Sequence, residues 1–270
     1  MISCGVFVSN SFESASISCA ESMLRLYRYN PGMNSAVAEH LIALNREFYE
    51  RFGESFSATR SSLQPGVRNI LESIQADVSV LDLGCGNGNF LIELSRRGHT
   101  GALLGVDFSL PLLREAGSMP AVSFREVDLT KLPAFHDQLS VDGGWSVVTM
   151  FAALHHIPSV EIRLDILRTV NKLLRPDGRF ILSNWQFLNS EKLTSRIQPW
   201  NRIGLSEADV DEGDYLLDWR SGGQGLRYVH SFSEGELTGL AARAGMRVNE
   251  SFLSDGENGR LGLYQIWMSS

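Results

Sequence analysis

The sequence predicts an α/β protein with a doubly wound, mostly parallel sheet of seven strands. Three observations carry this prediction. Short apolar runs alternate with helical stretches beyond Asp77, an apolar run leads into a glycine-rich turn at residues 84–88, and the tail ends in two strands joined by a turn-rich link. Strand–helix–strand alternation at this spacing is typical of a parallel sheet with helices on both faces.

The strands of the predicted sheet are short apolar runs bounded by polar segments. We expect buried strands at residues 78–83, 102–106, 122–127, 145–150 and 180–183, and helices near residues 90–97, 111–116 and 159–174. A helix at residues 233–244 precedes strands at 247–253 and 261–268. The turn-rich link between these last two strands predicts an antiparallel hairpin that closes the sheet.

The remaining chain divides into three parts. Residues 1–32 are rich in serine and are expected to be a disordered extension, whereas residues 33–270 are expected to form a single domain. Apolar residues recur at helical spacing over residues 34–52, and a second helix is predicted to begin at Pro65, so residues 33–76 are interpreted as an N-terminal helical cap. Residues 185–231 carry an acidic run and are interpreted as an irregular insertion.

Composition excludes several classes of protein. With 43% hydrophobic and 20% charged residues the chain can bury a full core, and its net charge of −7 weighs against binding nucleic acid by charge alone. No apolar run approaches about 18 residues, so no membrane span is predicted. Three cysteines are too few for a disulfide framework or a zinc cluster, and no metal is expected. The first residues lack a basic region typical of a secretion signal, which favours a cytoplasmic location.

The glycine-rich turn at residues 84–88 follows a strand and precedes a helix. Glycine lets the backbone approach a ligand closely, and a helix N-terminus presents free N–H groups. A dinucleotide site, an S-adenosylmethionine site and a structural turn all share this pattern. The dinucleotide fingerprint places its third glycine where this chain has Asn89, with Gly88 one residue early. The turn therefore disfavours a nicotinamide site, and the lack of a following lysine excludes a P-loop.

Acidic residues follow the next two strands. Asp107 lies about twenty residues beyond the glycines, where a carboxylate can accept hydrogen bonds from both hydroxyls of a ribose. Asp128 follows the third strand beside the same crevice, where it can accept a hydrogen bond from an adenine amino group. The glycine turn and the two acids together predict a site for an adenosine-containing cofactor.

These features resemble the successive motifs of class I S-adenosylmethionine-dependent methyltransferases. The matching segments occur in family order at residues 81–88, 106–109, 127–129, 151–157 and 173–178. The final helix and hairpin are similar to the usual end of that Rossmann-like fold. The resemblance implies a methyltransferase whose cofactor is S-adenosyl-L-methionine.

The resemblance also assigns contacts to the cofactor. It implies that the glycine turn holds the methionine part, that Asp107 holds the ribose, and that Asp128 and the Leu129 backbone hold the adenine. The predicted cofactor-binding residues are Arg60, Asp82, Gly84, Gly86, Gly88, Asp107, Phe108, Asp128, Leu129 and Phe151. Arg60 is included because a guanidinium group can bind the cofactor's methionyl carboxylate in a two-pronged contact.

A narrower resemblance concerns the acceptor of the methyl group. Residues 56–60, 214–219 and 227–237 are similar to tRNA wobble-uridine methyltransferases, which esterify a carboxymethyl group on the anticodon base. This similarity implies a tRNA acceptor. A small carboxylic acid or other metabolite is the alternative acceptor, and an inactive cofactor-binding subunit that activates a partner is the alternative from another class. Dependence on a small activator protein is left open.

Three residues are predicted to lie on the acceptor side of the crevice, namely His155, Arg227 and His230. His155 follows the fourth strand, and its neighbour His156 is expected to pack or to start a helix. Strand alternation places Arg227 on one face and Tyr228 and His230 on the other. We therefore favour Arg227 as the ligand of an acceptor carboxylate.

Overall fold

The main sheet contains seven of the ten strands found in a computed structural model, which describes residues 32–58, 62–116 and 120–270. The strands are β1 (Val80–Leu83), β2 (Leu103–Asp107), β3 (Ser123–Glu126), β4 (Trp145–Phe151), β5 (Leu174–Trp185), β6 (Ile197–Gln198), β7 (Asp214–Trp219), β8 (Gly225–His230), β9 (Met246–Ser254) and β10 (Gly262–Ser269). The main sheet has the order β3-β2-β1-β4-β5-β10-β9. Strands β1 to β5 pair in parallel, and β10 runs antiparallel to both β5 and β9. The predicted seven-stranded fold with its closing hairpin is confirmed.

Helices cover both faces of this sheet. The α-helices of the described residues, not all of which lie on this sheet, are α1 (Ser35–Ala58), α2 (Pro65–Glu72), α3 (Asn89–Arg96), α4 (Leu110–Ala116), α5 (His136–Leu139), α6 (Val160–Leu173), α7 (Glu191–Thr194) and α8 (Glu234–Arg243). On one face, α6 and α8 bury Leu167 and Leu240 against the sheet. On the other face, α2 and α3 bury Ile70 and Leu91. Burial of each such side chain contributes on the order of 1.5–3 kcal/mol, so both helical layers hold the sheet in place.

The strand order reverses between β1 and β4, because β2 and β3 follow on one side of β1 while β5 lies beyond β4. The loops after β1 and β4 therefore leave the sheet in different directions and open a crevice at the carboxyl ends of the strands. Ligands of open α/β sheets bind at such a switch point. The glycine turn follows β1, which places it at this crevice.

The segment 185–231 is not irregular, and that expectation was wrong. Strands β6, β7 and β8 form a second, antiparallel sheet in which Asp214 pairs with His230 and Trp219 pairs with Gly225. Strands β6 and β7 are not predicted by the sequence because β6 has only two residues and because the sequence of β7, Asp-Tyr-Leu-Leu-Asp-Trp, does not alternate strictly. The second sheet packs against α1 through β8.

The third predicted strand also differs from expectation. Strand β3 lies at the edge of the main sheet, and its residues are exposed or half-buried, whereas only the flanking Val122 and Val127 are buried. An edge strand has one free side, so apolar ends suffice to anchor it. Within the described residues, no helix is long and apolar enough to cross a membrane.

Candidate active site

The glycine turn forms one wall of a cavity at the carboxyl ends of β1, β2 and β4. Eight of the predicted cofactor-binding residues line it, namely Asp82, Gly84, Gly86, Asp107, Phe108, Asp128, Leu129 and Phe151. Gly88 is not among the described residues that line the cavity. A Cβ atom at Gly88 would lie 2.5 Å from the Phe124 ring, so this glycine permits the start of α3 to pack against β3. Arg60 lies outside the described residues, and its role stays a prediction.

The glycines of the turn are required by their backbone conformation. Gly84 has φ of 74° and Gly86 has φ of 56°, in the left-handed region that favours glycine. A Cβ at Gly84 would lie 2.7 Å from the Cβ of Ala153, whereas a Cβ at Gly86 would meet nothing within 4 Å. Gly84 therefore allows the β1 and β4 loops to approach each other, and Gly86 exposes its backbone to the cavity.

Buried carboxyl groups lie beneath the turn. The Asp107 Oδ2 atom accepts a hydrogen bond from the Gly86 N–H at 2.9 Å, and Oδ1 accepts one from the Ser109 N–H at 2.8 Å. Burial raises the pKa of Asp107 despite these bonds. Burial raises the pKa of Asp82 to about 7, opposed by a hydrogen bond from Thr149 and assisted by the charge of Asp107. Two mutually repelling carboxyl groups create a site that favours a cationic ligand.

The adenine end predicted at Asp128 is tied to α1. The Arg46 Nη2 atom lies 2.7 Å from Asp128 Oδ2, and the Arg46 guanidinium carbon lies 5.4 Å from the centre of the Phe108 ring. The N–H and hydroxyl of Thr130 both donate to Asp128 Oδ1. Arg46 thus connects α1 to the two residues, Phe108 and Asp128, that the resemblance assigned to the cofactor.

The opposite side of the cavity is formed by Asn45, Tyr49 and His156. The Tyr49 hydroxyl lies 2.8 Å from His156 Nε2, and His156 Nδ1 lies 3.2 Å from the Tyr228 carbonyl oxygen. A carbonyl can only accept, so in the neutral imidazole Nδ1 carries the proton and Tyr49 donates to Nε2. The expectation that His156 only packs or starts a helix missed its place in the cavity wall.

Sequence reasoning also missed Asn45, Arg46 and Tyr49, because their roles depend on contacts with distant segments. One signal was present. Asn45 and Tyr49 are four residues apart, so a helix places them on one face, and both interrupt its apolar stripe. Both residues are buried in the folded chain, which is unusual for asparagine.

The predicted acceptor-side residues are not brought together at the cavity. Neither His155, Arg227 nor His230 is among the described residues that line it. His155 is buried, and its Nδ1 atom lies 3.4 Å from the Trp185 backbone nitrogen. Their predicted roles remain untested, while the packing around Arg227 and His230 assigns them other contacts.

Arg227 is stacked among aromatic rings. Its guanidinium carbon lies 4.9 Å from the Trp185 ring centre, 5.3 Å from Phe48 and 5.6 Å from Trp219. The side chain is only 4% exposed. Such contacts stabilise a buried guanidinium, so Arg227 joins α1, β5 and β7 behind the cavity wall.

His230 belongs to a buried charge network on the other face of β8, as strand alternation predicted. Its Nδ1 atom lies 2.6 Å from Asp214 Oδ1, and its Nε2 atom lies 3.0 Å from Glu236 Oε1. Tyr228 donates to Asp214 at 2.6 Å and accepts from Arg163 at 2.7 Å. Burial lowers the pKa of His230, but hydrogen bonds to the two carboxylates outweigh it and raise the pKa overall.

S-adenosyl-L-methionine fits the groups that the cavity presents. Its sulfonium and ammonium charges match a cavity lined by the carboxyl groups of Asp82 and Asp107, and its ribose hydroxyls would find a buried acceptor in Asp107 at the end of β2. The backbone exposed at Gly86 allows the close approach that a bulky cofactor requires. The polar groups that line the cavity therefore agree with the cofactor that the sequence motifs implied.

Comparison with known proteins gives a family match over most of the chain. The sequence model of a family described as a methyltransferase domain matches residues 38–251. A putative methyltransferase of Encephalitozoon cuniculi is 28% identical over 204 residues, which is 74% of this chain and 86% of that protein.

Two further relatives have names that refer to tRNA. A probable tRNA methyltransferase 9B of Bos taurus is 25% identical over 62% of this chain and 35% of that protein. The tRNA (carboxymethyluridine(34)-5-O)-methyltransferase ALKBH8 of Mus musculus is 26% identical over 62% of this chain and 23% of that protein. The chain thus aligns with about a third or less of the length of these two relatives.

A solved structure supports the fold. A SAM-dependent methyltransferase from Methanosarcina mazei superposes with a TM-score of 0.58 at 21% identity, covering 77% of this chain and 98% of that one. At this level of identity the similarity shows a shared fold, in agreement with the strand order described above.

Proposed function

The chain belongs to the methyltransferase domain family, and on that premise we propose that it methylates a carboxylate on tRNA, the carboxymethyl group of a wobble uridine. It is an S-adenosyl-L-methionine-dependent methyltransferase, as the motifs implied. The acceptor is the new part of the proposal. Relatives named for tRNA methylation and the similarity of residues 214–219 and 227–237 to wobble-uridine enzymes support it.

One observation carries the proposal, namely the attachment of these similar segments to the cavity wall. The Tyr228 N–H donates to Asn45 Oδ1 at 2.8 Å, and Asn45 Nδ2 donates to the carbonyls of Tyr228 at 3.1 Å and His156 at 3.0 Å. Strand β8, which overlaps a segment similar to the wobble-uridine enzymes, therefore positions two residues of the wall opposite the glycine turn. Loops and strands that border a reaction cavity on a rigid scaffold commonly determine the acceptor.

A carboxylate acceptor agrees with the chemistry of this wall. The cofactor supplies a methyl group on a positively charged sulfur, which is a good leaving group. A carboxylate is nucleophilic at neutral pH, so the chain has to orient it and exclude water rather than remove a proton. Tyr49 and His156 are suited to positioning because each holds the other, and the ring of Tyr49 packs edge-on to that of Phe108.

Variants of Tyr49 and His156 also distinguish a carboxylate acceptor from an amine or a phenol. If the acceptor is a carboxylate, Tyr49→Phe should retain most turnover and leave the pH profile, measured at saturating S-adenosyl-L-methionine, flat above the acceptor's own pKa. An amine or phenol acceptor would require a base, and turnover would then depend on His156 and rise with pH. A pH profile of turnover with the wild type, Tyr49→Phe and His156→Gln distinguishes these cases.

A small carboxylic acid is the second candidate acceptor. The observations that favour it are the net charge of −7 and the exposed acidic residues Glu207 and Asp209 in the segment before β7. Both oppose a polyanionic acceptor at long range. This candidate uses the same cavity and the same positioning residues, so only the identity of the labelled product separates it from tRNA.

Labelling with S-adenosyl-L-methionine carrying a labelled methyl group tests the proposal. The protein is incubated with tRNA from cells that lack wobble-uridine methylation and, separately, with a small-molecule extract, each with and without soluble protein extract to supply an activator. Label in tRNA that mild base releases as an ester supports the proposal, and Asp107→Ala is the inactive control. Label only in the small-molecule fraction supports the second candidate. No label anywhere, with cofactor binding intact, favours an inactive subunit and overturns both.

A further inference from the structure

A second cavity lies on the face of α1 that points away from the cofactor cavity. Asn45 and Tyr49 face the cofactor cavity, whereas Phe48 and Arg51 face the second cavity, which has a volume of about 610 Å³. Helix α1 therefore forms a common wall between them. A helix with its side chains is roughly 10 Å thick, so an occupant of the second cavity cannot be the group that receives the methyl.

The second cavity has an apolar floor. Phe48, Phe52 and Trp219 line it, with the Phe48 ring 5.4 Å from Phe52 and 5.7 Å from Trp219 between ring centres. The glycine-rich link between β7 and β8 lies against the same floor, because a Cβ at Gly225 would approach the Phe52 ring to 2.5 Å. These rings are nearly buried, at 2%, 5% and 7% exposure, and the Arg51 guanidinium carbon lies 5.1 Å from the centre of the Phe52 ring, so the floor supports this arginine rather than presenting an open stacking face.

Arginines surround this floor. Arg51, Arg202 and Arg220 line the cavity and are exposed. The acidic residues that line it are Glu47, which is exposed, and Asp218, which is half-buried. Arg220 is paired with Asp218 at 2.8 Å, so that carboxylate is already neutralised. The remaining lining charges are two arginines and one glutamate, which is a local excess of positive charge on a chain whose net charge is −7.

We propose that this second cavity binds a nucleotide of the acceptor RNA close to the one that is methylated, with its phosphate at Arg51 and Arg202. The inference rests on the proposed tRNA function and names how that acceptor is held. An acceptor that occupies both cavities must be extended, which a polynucleotide is and a small metabolite is not. The glycine-rich link at residues 221–225 carries no basic side chain of its own, and its role in this proposal is to form part of the cavity wall through Gln224 and Gly225.

Charge reversal within the cavity tests this proposal. Arg51→Glu and Arg202→Glu are compared with Arg97→Glu, which makes the same charge change at an exposed arginine paired with Glu93 on α3. Binding of a fluorescent anticodon stem-loop is measured by anisotropy at several salt concentrations. We expect each cavity variant to weaken binding by roughly tenfold or more and to reduce the salt slope by about 1, while Arg97→Glu does neither.

Two further measurements keep the outcome unambiguous. Affinity for S-adenosyl-L-methionine and the melting temperature are expected to stay at wild-type values, and Arg51→Gln removes the charge without reversing it if Arg51→Glu fails to fold. If the wild type methylates tRNA but the cavity variants behave like Arg97→Glu, the cavity proposal is overturned and the tRNA function stands. If the wild type neither binds the stem-loop nor methylates tRNA, both are overturned.

Discussion

Buried carboxyl groups occur both in the cofactor cavity and beside the second sheet, and their surroundings differ. In the cavity, Asp82 and Asp107 repel each other, and burial raises the pKa of both. Beside the second sheet, Asp214 lies 2.6 Å from the His230 ring, accepts from Tyr228 and lies 3.6 Å from Arg163. The first arrangement favours a positive ligand, whereas the second provides opposite charge within the fold.

This difference in surroundings indicates that the two groups of carboxyls have different roles. Like-charged groups that lie close together in a cavity cost folding energy and favour a cationic cofactor, which relieves the repulsion. Removing a buried carboxylate from its arginine, histidine and tyrosine partners costs folding stability, so such a network holds the segments that carry it in place. We infer that the cavity binds the cofactor and that the charge network around Asp214 holds β8 in place. The backbone of β8 in turn positions Asn45 and His156.

The largest effect is expected from Asp214→Ala, which breaks the network. Removing this carboxylate leaves the buried Arg163 guanidinium and the His230 ring without it as a partner, so the free energy of unfolding should fall by about 3–5 kcal/mol. Chemical denaturation measures the loss. Asp165→Ala, at an exposed carboxylate paired with Arg168, is the control and should change little. Equal stability of the two variants would show that the network does not hold the fold.

Asp107→Ala should have its main effect on the cofactor. The loss of a charged acceptor costs about 1.5–3 kcal/mol per hydrogen bond, so the dissociation constant for S-adenosyl-L-methionine should rise by roughly tenfold or more. Calorimetry measures it, with Asp177→Ala at an exposed surface carboxylate as control. Because Asp107 also accepts from Gly86 and Ser109, a lower melting temperature is expected too. An unchanged dissociation constant would rule out the ribose assignment.

The pKa of Asp82 predicts a pH dependence of cofactor binding. Below a pKa of about 7 the carboxyl is neutral, and above it the carboxylate attracts a cationic ligand. Affinity should therefore rise with pH, by at most roughly tenfold per pH unit, and level off above about pH 8, with a proton released on binding. Asp82→Asn should flatten this rise. Parallel profiles for wild type and variant would contradict the assignment.

A smaller effect is expected from the titration of His230. Its pKa is raised in the fold, so its contribution to stability is fully present below the unfolded value of 6.5 and is lost as the pH rises through the raised pKa. His230→Gln should reduce the loss of stability over that window, whereas His136→Gln, at a surface histidine beside Asp137, should not. Denaturation at several pH values checks this difference, and identical curves for the two variants would refute it.

The cofactor half of the molecule could be predicted because its determinants are local. The strand, the glycine turn and the following helix are contiguous, and the acids that matter follow the next two strands directly. The wall formed by α1 could not be predicted in this way. Asn45 reaches Tyr228 across 183 positions of sequence, and only the assembled fold brings them within hydrogen-bond distance.

The second sheet, like the wall formed by α1, could not be predicted from the sequence. Its strands are short and carry charges at inward positions, so Asp214 reads as part of an acidic run until the positions of Arg163 and His230 are known. Strand alternation still predicted that Arg227 and His230 lie on opposite faces of β8, and this is what the contacts show. The burial of Arg227 among three rings could not be predicted, because two of them lie on α1 and β5.

The most direct test of the division between the two regions is amide hydrogen exchange with each ligand alone. S-adenosyl-L-methionine should slow exchange at residues 84–88, 107–109 and 128–130, where the glycine turn and the two acids lie. An anticodon stem-loop should instead slow exchange at residues 44–52 and 214–230, on α1 and the second sheet. Protection of residues 214–230 by S-adenosyl-L-methionine, or no protection of residues 214–230 by the RNA, would contradict the account.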